Sequence, residues 1–147
     1  MTLKPLTADL SVMPQPSEAD IAELARRGFK SIIGNRPDGE APDQPAWAAI
    51  ALAARSHGME ARHIPVVASK IGDDDVAAFA RALRDLPTPI AAFCRSGTRA
   101  AILWAGASED SQSVDERIRV AASQGYDLEP FRALIKRSNA SPTSKTA

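Results

Sequence analysis

The chain is poor in several things at once. Its 147 residues include one cysteine, one tyrosine and two histidines, and aromatic residues make up only 5%. A lone cysteine excludes an internal disulfide and any mechanism that needs a resolving cysteine in the same chain, and it fits a reducing compartment. The histidines, at 57 and 63, are not spaced to share a metal with it, so neither a metal nor a cofactor is expected. Lys plus Arg balance Asp plus Glu at 18 each, so no global field draws the protein to nucleic acid or to an anionic membrane. No apolar run approaches the length of a bilayer span. Met1-Thr2-Leu3-Lys4-Pro5 has neither the basic nor the apolar block of a secretory leader, and the expected location is the cytoplasm.

The remaining composition, 44% hydrophobic and 24% charged, is that of a soluble globular chain. Length and patterning predict one domain over residues 1–138, followed by a Ser/Thr/Pro/Lys-rich tail, 139–147, expected to be disordered. Strands are predicted at 9–13, 31–34, 61–67 and 89–94, and helices fall between them. Ser17 with Asp20, and Ser113 with Glu116, are helix-start pairs; Gly28, Gly58 and Gly125 are stops. Pro45 falls in the first turn of the helix that carries Trp47, Ile50 and Ala54, and Asp127 is expected to cap the last one. Val76, Phe79, Leu83 and Leu86 form the stripe of a helix opening at Asp73-Asp74-Asp75, where the dipole favours acidic residues.

Alternating strands and helices predict an α/β fold of three layers, with a mostly parallel four- to five-stranded sheet flanked by helices. The uncharged strand at 89–94 is expected centrally, between 31–34 and 61–67, with Pro65 restricting the latter to an edge or a bulge. The loops that leave 94 and 34 should then line one pocket, at the carboxyl ends of the strands.

The chemistry concentrates where the 89–94 strand ends, at Cys94-Arg95-Ser96-Gly97-Thr98-Arg99. A strand, a tight loop and a helix in that order aim backbone N–H groups and the positive helix end at one point. Gly97 gives the turn its freedom, and Ser96 and Thr98 offer hydroxyl bonds or a cap. Arg95 and Arg99 present guanidinium forks that match an oxyanion. Such surroundings favour a nucleophilic thiolate at Cys94. Arg36 either adds charge to the same pocket or pairs with Asp38 or Glu40 to order its own loop. His63 reads as a core or strand-edge residue, His57 as a surface one and Trp104 as core.

The stretches Phe29–Ile33, Asn35-Arg36-Pro37-Asp38-Gly39-Glu40, Arg62–Val66 and Cys94–Arg99 together resemble the phosphatase-like domain of the beta-lactamase-hydrolase-like (Blh) proteins, over about Leu3 to Gly106. That resemblance implies a fold like the dual-specificity cysteine phosphatases. It also implies a domain found alone or fused to a metallo-beta-lactamase-like persulfide dioxygenase, and described as a sulfurtransferase in sulfide detoxification. A persulfide dioxygenase, or another sulfide-oxidation enzyme, is therefore the implied partner.

Two chemistries compete for the loop. The cysteine-phosphatase signature has five residues between Cys and Arg, whereas Cys94 and Arg99 enclose four, similar to the loop of rhodanese-type sulfurtransferases. A phosphatase also needs an acid for its leaving oxygen. Val66-Val67-Ala68-Ser69-Lys70 offers no carboxylate, which leaves Asp73 as the acid candidate. The sequence-level expectation is a sulfurtransferase that carries sulfane sulfur as a Cys94 persulfide, from thiosulfate or a small persulfide to a thiol or cyanide. The alternatives are a cysteine-dependent phosphatase acting on a phosphate ester through phosphocysteine, and a sensor that binds the anion without turnover. Cys94 and Arg99 are the catalytic candidates; Arg95, Ser96, Gly97, Thr98 and Arg36 are the substrate-binding ones.

Overall fold

The computed structural model describes residues 1–107 and 112–140, with side chains through Ser138. In chain order the elements are β1 (Lys4–Pro5), β2 (Leu10–Met13), α1 (Glu18–Arg26), β3 (Ser31–Gly34), α2 (Trp47–Ser56), β4 (Glu60–His63), α3 (Asp73–Asp85), β5 (Ile90–Phe93), α4 (Thr98–Ala107), α5 (Val114–Ser123) and α6 (Arg132–Ala140). The strands form one sheet in the order β1-β2-β5-β3-β4, parallel except for the β1–β2 pair.

Period-2 alternation distributes each inner strand between two cores. Leu10, Val12, Ile33, Ile90 and Ala92 face a core completed by Val76 and Phe79 of α3, most of α4, Ile118 of α5 and Ile135 of α6. Met13, Ile32, Ala91 and Phe93 face the other, closed by Ile21 and Leu24 of α1 and Ile50 and Ala54 of α2. Each of these Ile and Leu side chains, fully buried, contributes roughly 1.5–3 kcal/mol. At Gly34, the added carbon of an alanine would stand 2.6 Å from the Trp47 ring, so the β3–α2 packing depends on that glycine.

The expected strand order needs correcting. The Ile90–Phe93 strand lies between β2 and β3, not between 31–34 and 61–67. Burial explains the arrangement. β4, with Glu60 exposed and the rest half-buried, suits an edge with one neighbour, while the fully buried β2 needs two and obtains the second from β1. β4 stops at His63, four residues short of the expected end. Beyond it, Ile64 N–H donates to Gly34 O and Val66 N–H to Asn35 O, so Pro65 falls where no donor toward β3 is needed.

The Ser17–Asp20 capping box and the Ser113 cap form as the sequence predicts. Pro45 instead precedes the α2 cap at Ala46, and Asp127 caps only a short turn at Glu129–Phe131 that leads into α6. Of the tail expected to be disordered, 139 and 140 belong to α6, and 141–147 lie outside the described residues. Among the described residues no helix is long and apolar enough to cross a membrane.

Candidate active site

Strands β2, β5 and β3 run parallel and open at one edge of the sheet, where the chain leaves β5 at Cys94 and β3 at Asn35. Asn35 binds these exits together. Its N–H donates to Phe93 O at 2.8 Å, its side-chain Nδ2 to Ile64 O at 2.9 Å, and its own carbonyl accepts from Val66 N–H. Three strand ends are thus held by one buried amide, whose Oδ1 has no partner.

Cys94 lies at the base of its loop, 1% exposed, and the Gly97 N–H donates to its Sγ at 3.0 Å. Gly97 has φ +101°, and a side chain there would collide with the Tyr126 hydroxyl, so both backbone and space require glycine. That hydroxyl donates to Ser96 O at 3.2 Å. Burial raises the Tyr126 pKa above its ordinary value, and the neighbouring Cys94 charge adds to the effect. Ser96 Oγ and Thr98 Oγ1 share a bond of 3.0 Å, and Ala101 N–H donates to Gly97 O as α4 begins. Arg95 is exposed at the rim, while its carbonyl accepts from Gln15 N–H.

Arg99 is 8% exposed, on the first turn of α4. Its Nη1 donates to Glu40 Oε2 at 2.8 Å and to Val66 O at 2.9 Å, and its Nη2 donates to Glu40 Oε1 at 2.9 Å. Arg36, also buried, donates from Nε to the same Glu40 Oε1 and from Nη1 to Gln15 Oε1. The bonds from Arg99, joined by those from Arg36, outweigh burial and hold the Glu40 pKa down to about 2. Reciprocally, Glu40 raises Arg99 above its ordinary value; burial opposes this, and the nearby Cys94 sulfur adds to it.

The Glu40 loop is braced from several sides. Its N–H donates to Gln44 Oε1, Gln44 Nε2 donates to Pro37 O, and the Trp47 N–H donates to Asp38 Oδ1. Trp47 stacks on His63 with ring centres 4.8 Å apart, and His63 Nε2 bonds to Arg36 O at 3.0 Å.

The structure therefore brings Cys94, Ser96, Gly97, Thr98, Arg99 and Arg36 to one edge of the sheet, with Arg95 at its rim. Arg36 does so by pairing with Glu40, the loop-ordering role. Asp73 is not brought there. Its carboxylate accepts from Arg137 Nε at 3.3 Å and Ser138 Oγ at 3.4 Å, and Ser138 packs against Gly106. Gly106 lies roughly 10 Å along α4 from Arg99, so Asp73 serves the α3–α6 contact. Sequence reasoning missed Glu40, Asn35, Gln15 and Tyr126 as site residues. Glu40 alone carried a signal, as an acid four residues after Arg36 in the same loop. Among the described residues, no group of three or more His, Cys, Asp or Glu is placed to hold a metal ion.

Comparison with known proteins agrees with this fold. The model of the family described as "Beta-lactamase hydrolase-like protein, phosphatase-like domain" matches residues 2–111. A beta-lactamase hydrolase-like protein of Xylella fastidiosa is 34% identical over 139 residues, covering 93% of this chain and 32% of its own length. The chain thus spans about a third of the curated relatives it matches. A crystal structure of a candidate phosphatase from Neisseria meningitidis superimposes with a TM-score of 0.83 at 36% identity, covering 94% of this chain and 99% of that one. The active form of Tk-PTP shares the fold at 15% identity, with a TM-score of 0.74 and coverage of 94% and 95%.

Proposed function

Because this chain belongs to the family of the phosphatase-like domain of beta-lactamase hydrolase-like proteins, we propose that it is a cysteine-dependent phosphatase of small anionic phosphate esters. The observation that carries this reading is the Cys94 sulfur, held by the Gly97 N–H at 3.0 Å where α4 begins, with Arg99 on the first turn of that helix near enough to feel its charge. The thiolate attacks phosphorus, an S–P bond forms, and the P–O bond to the leaving group breaks. The loop N–H groups and Arg99 stabilise the charge on the equatorial oxygens. Water then attacks the phosphocysteine, frees inorganic phosphate and restores the thiolate.

Neither Glu40, locked between two arginines, nor Asp73, engaged by α6, is free to protonate the leaving oxygen. Substrates whose leaving group departs as a stable anion, such as aryl phosphates, are therefore expected to outpace alkyl phosphates. Rates across aryl phosphates of rising leaving-group pKa should fall steeply, and Cys94→Ser should abolish turnover. Hydrolysis that persists in Cys94→Ser would sink the proposal.

A second reading is favoured by the four residues between Cys94 and Arg99 and by the engagement of Asp73, the acid candidate, with α6. A thiolate here would attack the outer sulfur of thiosulfate, releasing sulfite and leaving a Cys94 persulfide, which an external thiol then takes. Intact mass spectrometry decides: one added sulfur after thiosulfate, absent in Cys94→Ser, supports sulfur transfer, and an unchanged mass removes it.

A further inference from the structure

Glu40 fills the end of the guanidinium that the reaction needs, so its carboxylate is either a competitor of the substrate or the device that aims Arg99. Counting donors separates the two. A guanidinium has five N–H groups. Glu40 takes one from Nη1 and one from Nη2, and Val66 O takes the second from Nη1. That leaves Nε–H and the second Nη2–H, which lie side by side on one edge of the planar group, and Cys94 is near enough for its charge to raise the Arg99 pKa. The edge suited to bidentate recognition thus carries none of these bonds, while the carboxylate holds the far end.

Glu40 is also built in rather than poised to leave. Gln15 N–H donates to Arg95 O, Gln15 Oε1 accepts from Arg36, Arg36 donates to Glu40, and Glu40 accepts from Arg99. The belt starts and ends on the Cys94–Arg99 loop. A competing carboxylate would need freedom to swing away, and this one is held by two buried arginines in a braced loop.

We propose that Glu40 is the positioning residue of the site, turning the Nε–H/Nη2–H edge of Arg99 toward Cys94 so that this edge receives an oxygen of the bound anion. This rests on the reading of Cys94 and Arg99 as an anion site, and it holds for either group transferred. Its sign can be tested without turnover, using inorganic phosphate to protect Cys94 from alkylation by iodoacetamide. Positioning predicts that phosphate protects wild type and that both Glu40→Gln and Glu40→Asp need at least tenfold more phosphate for the same protection. It also predicts that both variants displace the pH profile of the alkylation rate. Glu40→Asp keeps the charge and withdraws the carboxylate by one carbon, so it separates aim from charge. It also serves if Glu40→Gln fails a circular-dichroism check of folding.

Protection equal to or tighter than wild type in the variants means that Glu40 competes with the anion or is idle, and only the positioning role falls. A wild type that phosphate leaves unprotected removes the anion site itself, and the positioning role with it.

Discussion

Helix α4 has a buried arginine near each end, and the two are satisfied in opposite ways. Arg99, on the first turn, is bound by a carboxylate whose side chain is 28% exposed, and it lies near enough to Cys94 to feel its charge. Arg117 reaches from α5 to the last turn of α4, where Nη1 donates to Ala105 O at 2.8 Å and Nη2 to Gln112 O. A cation that donates to helix-end carbonyls complements the dipole and closes a helix terminus, which is a folding task. On the proposed function, a cation held by a carboxylate close to Cys94 is the one that receives the anionic guest. Burial alone does not distinguish them: both are under 10% exposed.

Substituting each in turn should break this symmetry most visibly. Arg99→Lys keeps the charge but loses the fork, and kcat/KM for an aryl phosphate should fall about 10²–10³-fold while the thermal melt moves little. Arg117→Met should do the reverse, lowering unfolding free energy in urea by roughly 2–4 kcal/mol because buried carbonyls lose their donors, with the rate per folded molecule unchanged. If Arg117→Met alters the rate of folded enzyme as strongly as Arg99→Lys does, the division of labour is wrong.

Gly97→Ala comes next. Its positive φ and the crowding by Tyr126 should cost about 1–3 kcal/mol of stability. Part of that cost, on the order of 1 kcal/mol, should disappear in a Tyr126→Phe background, where the hydroxyl it meets is gone. Purely additive losses would mean that the hydroxyl is not what excludes a side chain.

The smallest effect concerns acid. The folded Glu40 carboxyl is held at about 2, below its ordinary 4.5, so its bonds stabilise the protein fully above 4.5. That stability drains away as pH falls from 4.5 toward 2. Partial exposure screens the contribution to about 1 kcal/mol. Glu40→Gln should therefore flatten the acid side of a stability-versus-pH curve, and a curve that keeps its slope would show the charge to be idle.

Much of this was legible from the residues alone. Ser17 and Ser113 capped their helices because a hydroxyl before a polar first turn has few better partners. The loop from Cys94 to Arg99 declared itself because cysteine, glycine and arginines crowd one strand–helix junction. Strand order was harder to read, because Ile32-Ile33 and Ala91-Ala92 are equally apolar and nothing local says which neighbours which. Tyr126 carried no signal, since its partner Ser96 lies 30 residues away and only the tertiary fold joins them. Asp73 looked like an available acid because a helix-start aspartate and a catalytic one are spelled alike. Its destination depended on α6, which packs onto α3 from the far end of the chain.

From Arg99 to Ala107 every residue of α4 is shut away from solvent. A rod sheathed on all sides cannot slide, tilt or swing without dragging its neighbours along, so the anchor behind the thiol is the least adjustable part of the molecule. Selectivity for one guest over another would have to be rewritten in the exposed border positions of 37–46 and 67–72, leaving Glu40 in place because it binds Arg99 of that rod. A library aimed there should yield altered preferences; one aimed at the rod should yield mostly unfolded protein.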